Sequence, residues 1–284
     1  MKILVTGING QLGYDVLRKG SELGLDINGI GRTDLDITKE DDVKRFIKDM
    51  KPTAIIHCAA YTSVDKAEDD NETSWNVNVN GTEYLAAAAK AVNAKLIYIS
   101  TDYVFDGKGE TSFIETDTPN PLGSYGLTKY EGEKKVQSIL DEYFIIRISW
   151  VFGINGNNFI KTMLTLSKSR KELNVVGDQI GSPTYTYDLA GLLLQMVQSE
   201  KYGIYHASNE GFCSWAELAE EIFEQANVDI KVNSISTEEY PTKAVRPKNS
   251  RMSKEKLLSN GFQPLPEWQD ALKRYLKELS GEVK

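Results

Sequence analysis

The sequence predicts an α/β protein: a doubly wound parallel sheet with a smaller, partly interwoven C-terminal lobe. Three observations lead there. Short apolar runs alternate with amphipathic stretches through residues 1–150, the pattern of strands buried on both faces and joined by helices. The first run, "KILVT", passes into "GINGQLG" and then a helix-like stretch, so glycines 7, 10 and 13 lie between a strand and a helix. Beyond about residue 150 glycine, proline and asparagine loosen the rhythm, in "VFGINGNNF", "VVGDQIGSPTYTYD" and "EEYPTKAVRPKNSRMS".

The elements follow in order. "KILVT" is a strand, and residues 11–23 form an amphipathic helix. "INGIG" is a second strand. "TKEDDVKRFIKDM" has helical spacing, with Thr38 as the expected N-cap and Asp41 three residues on. "TAIIHCA" is a third strand, and "TSWNVNVNGTEYLAAAAKAV" one long helix. "AKLIYIS", "SYGLTKYEGEKKVQSIL" and "YFIIRIS" read as strand, helix and strand. This order implies right-handed crossovers and a parallel, Rossmann-type sheet. The second half predicts helices near residues 157–169, 186–198, 214–226 and 267–279. No flexible linker separates the halves, so they are expected to interweave.

Composition narrows the function. The chain has 284 residues, 40% hydrophobic and 26% charged, with a formal net charge of −8. A net negative charge repels phosphate backbones, so no nucleic-acid partner is expected. Cys58 and Cys213 are far apart, and their spacing suggests neither a disulfide framework nor a zinc site. Both read as reduced, buried thiols. No run approaches the ~20 apolar residues of a membrane span, and the first apolar run is too short for a secretory signal. The expectation is a cytoplasmic protein with no membrane partner.

The glycine turn carries the first chemical signal. Glycine lets a backbone approach a ligand closely, and the next helix points unpaired N–H groups at an anion. Gly7, Gly10 and Gly13 in a strand–turn–helix context predict a pyrophosphate cradle, so residues 1–150 are expected to bind a dinucleotide. After the second strand come Arg32, Asp34 and Asp36. An arginine there suits the 2′-phosphate of NADPH, with NADH as the alternative. Arg32 is otherwise a solvated surface charge, and Asp36 either meets the adenine or is a loop residue.

The second signal is "YGLTK". Tyr125 and Lys129, four apart on a helix, share one face. An ammonium beside a phenol is expected to lower its pKa and make it a proton donor to a developing alkoxide. Ser100, Thr101 and Asp102 close the fourth strand at the edge of the sheet where such chemistry sits, and a hydroxyl there can orient a substrate carbonyl. The alternative reading is a strand-end turn. His57 and His206, in apolar runs, read as core histidines rather than acid–base groups.

These features together resemble the extended short-chain dehydrogenase/reductase family. The carriers are "TGINGQLG", "HCAAYTSVDKAE", "NVNGT", "YISTDYVFDG" and "YGLTK". "RISWVFG", "GNNFIKTM", "DQIGSPT", "GIYHASN" and "RPKNSRM" extend the likeness to about residue 275, toward enzymes of nucleotide sugars. The resemblance implies an NAD(P)H-dependent oxidoreductase that reduces the 4-keto group of dTDP-4-dehydro-6-deoxy-L-mannose to dTDP-L-rhamnose. The alternatives are another nucleotide-sugar epimerase or reductase, or a non-catalytic regulatory subunit like that of methionine adenosyltransferase.

Residue by residue, the resemblance makes Thr101, Tyr125 and Lys129 catalytic. Gly10, Gln11 and Leu12 fall on the pyrophosphate turn, and Asp36 and Ile37 near the adenine. Ala59, Ala60, Tyr61 and Thr62 fall on the loop lining the cofactor. Asp102 and Trp150 fall beside the sugar, Trp150 having core packing as its other reading. Val64, Tyr103 and Asn158 are further substrate candidates, and Arg246 a candidate for the nucleotide part. Asn78 either braces the site or acts directly. Residues 151–284 are expected to form most of the substrate lobe. Some relatives are dimers sharing magnesium through acids. Asp15 stands at one such position, but Tyr187 stands at the other. No metal is therefore expected, and the chain is expected to be a monomer or homodimer.

Overall fold

Lys2–Thr6 forms strand β1, all but its first residue buried, and the chain turns at Gly7–Gly10 into helix α1, Gln11–Glu22. In this computed structural model, which describes residues 1–281, the strand–helix alternation continues as the sequence predicts. Positions 282–284 of the expected C-terminal lobe lie outside the described residues. Strand β2 is Asp26–Ile30, helix α2 Glu40–Met50 and strand β3 Ala54–His57. Helix α3, Gly81–Ala91, leads to strand β4, Lys95–Thr101. Helix α4, Ser124–Ile139, leads to strand β5, Tyr143–Ile148.

Two expectations need correction here. Thr38 does not cap α2. Its hydroxyl instead donates to Asp36 Oδ1 at 2.7 Å, and Lys39 takes the cap position with no side-chain bond. The single long helix over residues 73–92 is interrupted. Asn71–Trp75 is α-helical, Asn76–Asn80 winds as a π-helix, and α3 then resumes the α form. Such wider turns gather at functional sites because they re-aim side chains.

After β5 the chain supplies helix α5, Phe159–Leu166, helix α6, Thr186–Met196, and strand β6, Gly203–His206. Helix α7, Trp215–Gln225, and helix α8, Trp268–Leu279, follow. Each of these helices falls within a span predicted from sequence.

The main sheet has six strands in the order β6-β5-β4-β3-β1-β2, every pairing parallel. The chain leaves β1 toward β2 and returns to the other side for β3, which puts the switch in strand order between β1 and β3. Ligands of such sheets bind there, outside the carboxyl ends of the strands. On one face, Ile3, Val5, Ile56 and Ile146 pack with Val16 of α1 and Leu189 and Leu193 of α6. On the other, Leu4, Ile55 and Leu96 pack with Val43 and Ile47 of α2, Leu85 of α3 and Val136 of α4. A third core joins Phe152, Ile160, Tyr185, Ile222, Leu272 and Tyr275 in the C-terminal part. Two elements from beyond residue 150 are thus built into the first half: β6 into the sheet itself and α6 into the helical layer on its face.

Candidate active site

The turn after β1 has no room for a side chain at Gly7, nor the start of α1 for one at Gly13. Gly7 has φ +75°, and a Cβ there would lie 2.6 Å from the Ala59 backbone nitrogen. A Cβ on Gly13 would lie 2.4 Å from the Gly7 carbonyl oxygen. Helix α1 begins at Gly10 with no side-chain cap and no acid in its first turn. Its first N–H groups and the positive end of its dipole therefore face the space outside β1, which is where an anion is favoured.

That space is a cleft of about 680 Å³. Gly7, Gly10, Gln11, Leu12 and Gly13 form its floor, and Arg32, Asp36 and Ile37 one end. Ala59, Ala60, Tyr61, Thr62 and Val64 form a wall from the loop after β3. Thr101, Asp102, Tyr103, Tyr125, Lys129 and Trp150 line the opposite end. The shape and donor set fit a dinucleotide: a backbone cradle, an uncapped helix start, and side chains of the YxxxK pair beyond it.

Two predicted substrate residues lie elsewhere. Asn158 is the N-cap of α5, its Oδ1 accepting from Lys161 N at 3.0 Å. Its amide donates to Gln11 Oε1, Gly153 O and Tyr275 Oη at 3.0–3.1 Å. It is spent on tying α5 to the glycine turn and does not line the cleft. Arg246 also sits behind the wall. It donates to Tyr103 Oη at 3.1 Å and pairs with Asp65 at 2.7 Å, so it reaches the site through Tyr103.

Other lining residues stand inside the motifs but were assigned no role from sequence. Cys58 and Ser149 line the cleft immediately after β3 and β5. The rule that ligands sit at carboxyl strand ends would have found both. Asn157, also lining, stands beside Asn158 in "GNNFIKTM".

The end of the cleft lined by Thr101, Asp102 and Lys129 is nearly dry: each of the three is under 5% exposed. The Thr101 hydroxyl donates to Asp102 Oδ1 at 3.1 Å. Burial pushes the Asp102 carboxyl up to about 6, with hydrogen bonding pulling the other way. Burial also pushes the Tyr125 phenol well above its ordinary value, against a lowering contribution from the Thr101 hydroxyl. Lys129 is pushed down to about 7, again by burial, with Glu133 and Cys58 opposing.

This corrects the expected electrostatics of the pair. The ammonium does not set the phenol's pKa here; desolvation acts on both groups and dominates. The Lys129 Nζ sits 4.0 Å above the Tyr98 ring, a cation–π contact. Tyr125 meets the Tyr103 ring edge-on at 5.5 Å.

Supporting residues hold this end in place. Asn78, on the π turn, donates to Thr128 Oγ1 at 3.0 Å and Tyr61 O at 3.1 Å, and its Oδ1 accepts from Tyr61 N at 2.8 Å. It joins α4 to the cofactor wall, which is the bracing role. Trp150 has φ +47°, a strained conformation for a tryptophan. Its ring stacks on Trp215 at 3.7 Å, and a Cβ on Gly181 would lie 2.7 Å from it. Trp150 thus lines the cleft and also packs against the C-terminal part.

Asp15 is fully buried. The Thr186 hydroxyl donates to its carboxylate, and Arg18 pairs with it at 3.0 Å. The Tyr187 hydroxyl donates to Glu22 at 2.6 Å. His57 has a complete set of neutral partners, Thr6 Oγ1 at 2.8 Å and Thr82 Oγ1 at 3.2 Å. No helix among the described residues is long and apolar enough to cross a membrane.

A parallel sheet with a glycine cradle at its switch point, facing a tyrosine and lysine one helical turn apart, defines a nucleotide-dependent oxidoreductase of the extended short-chain type. Residues 1–280 match the family model described as RmlD substrate binding domain. A dTDP-4-dehydrorhamnose reductase of Aggregatibacter actinomycetemcomitans is 43% identical, over 96% of this chain and 97% of that protein. Two crystal structures of such reductases are similar throughout. That from Clostridium acetobutylicum has a TM-score of 0.96 at 42% identity, over 99% of this chain and 100% of the other. That from Bacillus anthracis, in complex with NADP, has a TM-score of 0.95 at 43% identity, over 98% and 100%. The chain belongs to the dTDP-4-dehydrorhamnose reductase family.

Proposed function

We propose that the protein reduces the 4-keto group of dTDP-4-dehydrorhamnose to give dTDP-L-rhamnose, with NADPH as the preferred donor. One observation carries this reading: Tyr125 and Lys129, adjacent on α4, both line the cleft onto which the Gly7–Gly13 turn opens. The bound dinucleotide supplies the hydride. Gly7, Gly10 and Gly13 admit its pyrophosphate, and Gln11 and Leu12 continue the cradle. Ala59, Ala60, Tyr61 and Thr62 flank it, while Lys129 holds the ribose. Thr101 orients the carbonyl, and Tyr125 donates its proton to the oxygen as the carbon is reduced. A phenol pushed up by burial stays protonated at neutral pH, the form a reductase needs. Val64, Asp102, Tyr103 and Trp150 border the sugar, and residues beyond 150 supply most of that side. The proposed setting is the cytoplasm.

The test mixes protein, NADPH and the dTDP-linked keto sugar and follows loss of reduced nicotinamide absorbance. One dinucleotide consumed per sugar is the expected result. Turnover with no net consumption would make the protein an epimerase, and no turnover would refute the reading.

Donor preference is carried by Arg32. Asp34 accepts from Gly31 N at 2.7 Å and Asp36 from Thr38 N at 3.1 Å, so both nearby carboxylates are engaged locally. Arg32 is exposed at the cleft end, with no such tie among the described residues. Arg32→Ala is expected to raise KM for NADPH roughly tenfold, the loss of one charge-assisted contact, and to leave KM for NADH unchanged. Equal effects on the two donors would remove Arg32 from 2′-phosphate recognition.

A further inference from the structure

Below the catalytic end lies a fully buried ion pair that the chemistry above does not use. Glu133 and Arg147 are each about 1% exposed or less. Arg147 Nε donates to Glu133 Oε1 at 2.9 Å and Nη2 to Oε2 at 2.7 Å. The Ser100 hydroxyl donates to the same Oε1 at 2.5 Å. Ser100 and Arg147 are directly paired across β4 and β5. Three elements therefore meet at one carboxylate: α4, which carries Tyr125 and Lys129; β4, which ends at Thr101; and β5, which leads to Trp150.

Glu133 is four residues beyond Lys129, one helical turn further from the cleft. Lys129 is faced by His57 and Cys58 from β3 and its exit, by the Tyr98 ring from β4, and by Glu133 from α4, with the Arg147 guanidinium of β5 behind that carboxylate. His57 is neutral, burial pushing it down to about 3, and the Cys58 thiol is neutral, pushed up to about 12. Tyr98 and Tyr125 are protonated phenols, both raised by burial. Among the described residues, Glu133 is the one anion in that set.

We propose that Glu133 is the positioning residue of this site: fixed by Arg147 and Ser100, it docks α4 on the ends of β4 and β5 and supplies the negative charge that favours the ammonium form of Lys129. The proposal rests on the reading that Lys129 holds the cofactor ribose. Buried pairs add little net stability compared with apolar replacements, so a local electrostatic task is a better reason for this one.

The test titrates Lys129 in the free protein. A small acylating reagent is applied from about pH 5 to about pH 9, and labelling of Lys129 is counted by mass spectrometry. The wild-type midpoint is expected near 7. Glu133→Gln should move it down by about one unit, a tenfold weaker hold on the proton. That variant leaves Arg147 buried without its partner, and urea midpoints should show it destabilised. The double variant E133Q/R147M removes both charges. It should recover stability yet keep the lowered Lys129 midpoint, and its affinity for NADPH at about pH 8 should fall in step. A folded double variant with the wild-type midpoint makes the pair purely structural and overturns the proposal; so does a chain that folds in neither variant. Wild-type turnover decides the reductase reading separately, since the Lys129 midpoint is read without substrate.

Discussion

Tyr125→Phe is expected to lower kcat by about 10²–10⁴ while leaving NADPH affinity and folding close to wild type. The size is that of one positioned proton donor, or about 3–5 kcal/mol of barrier. The phenylalanine keeps the ring and its edge-on contact with Tyr103, so the loss isolates the hydroxyl. Steady-state rates with the keto sugar, beside a fluorescence titration of NADPH, separate chemistry from binding. A variant within tenfold of wild-type kcat would mean that another group delivers the proton. Because burial holds the phenol protonated well beyond neutrality, the alkaline fall of kcat should follow Lys129 and not Tyr125.

Acid should unfold the protein through its histidines. Burial pushes both His57 and His206 down to about 3. For His206 the like charges of Arg147 and Lys256 add to burial, against weak raising contacts with the backbone of Phe113 and Ser253. The unfolded chain binds these protons near pH 6.5, the folded chain only near 3, so stability falls as pH falls between those values. From pH 6 to pH 4 the two should cost about 5 kcal/mol together. Asp102 works against them: its carboxyl, raised to about 6, takes a proton in the folded state first and returns about 2 kcal/mol over the same window. Urea midpoints at the two pH values measure the net loss. His206→Asn removes one titrating group and should make the protein less acid-sensitive by about 2–3 kcal/mol. If the variant loses as much stability as wild type, the His206 account is wrong.

Sequence reading reached the sheet, the cradle and the YxxxK pair because each is local. The strands β1, β3 and β4 are continuous apolar runs, and Gly7 and Gly13 sit where only a missing Cβ fits. What it missed is what distant segments do to one another. Asn158 carries a motif that suggests substrate, but its amide meets Gln11, Gly153 and Tyr275, and only the folded chain brings those together. Trp150 and Trp215 are far apart in sequence and stack at 3.7 Å. The pattern over residues 73–92 is helical throughout, so the π turn that aims Asn78 at Tyr61 leaves no mark on it. The expected coupling of Tyr125 to the Lys129 charge failed for another reason: spacing reports that two groups share a face, not how much water surrounds them.

The return of β6 and α6 to the sheet has a consequence for anyone dissecting the molecule. Residues 1–150 expressed alone would leave β5 as a bare sheet margin, its hydrogen-bonding groups unanswered where β6 had run beside it. They would also uncover the oily flank of α1 on which Leu189 and Leu193 had rested. Such a fragment is a recipe for precipitation, so the two halves must be kept together for either to fold.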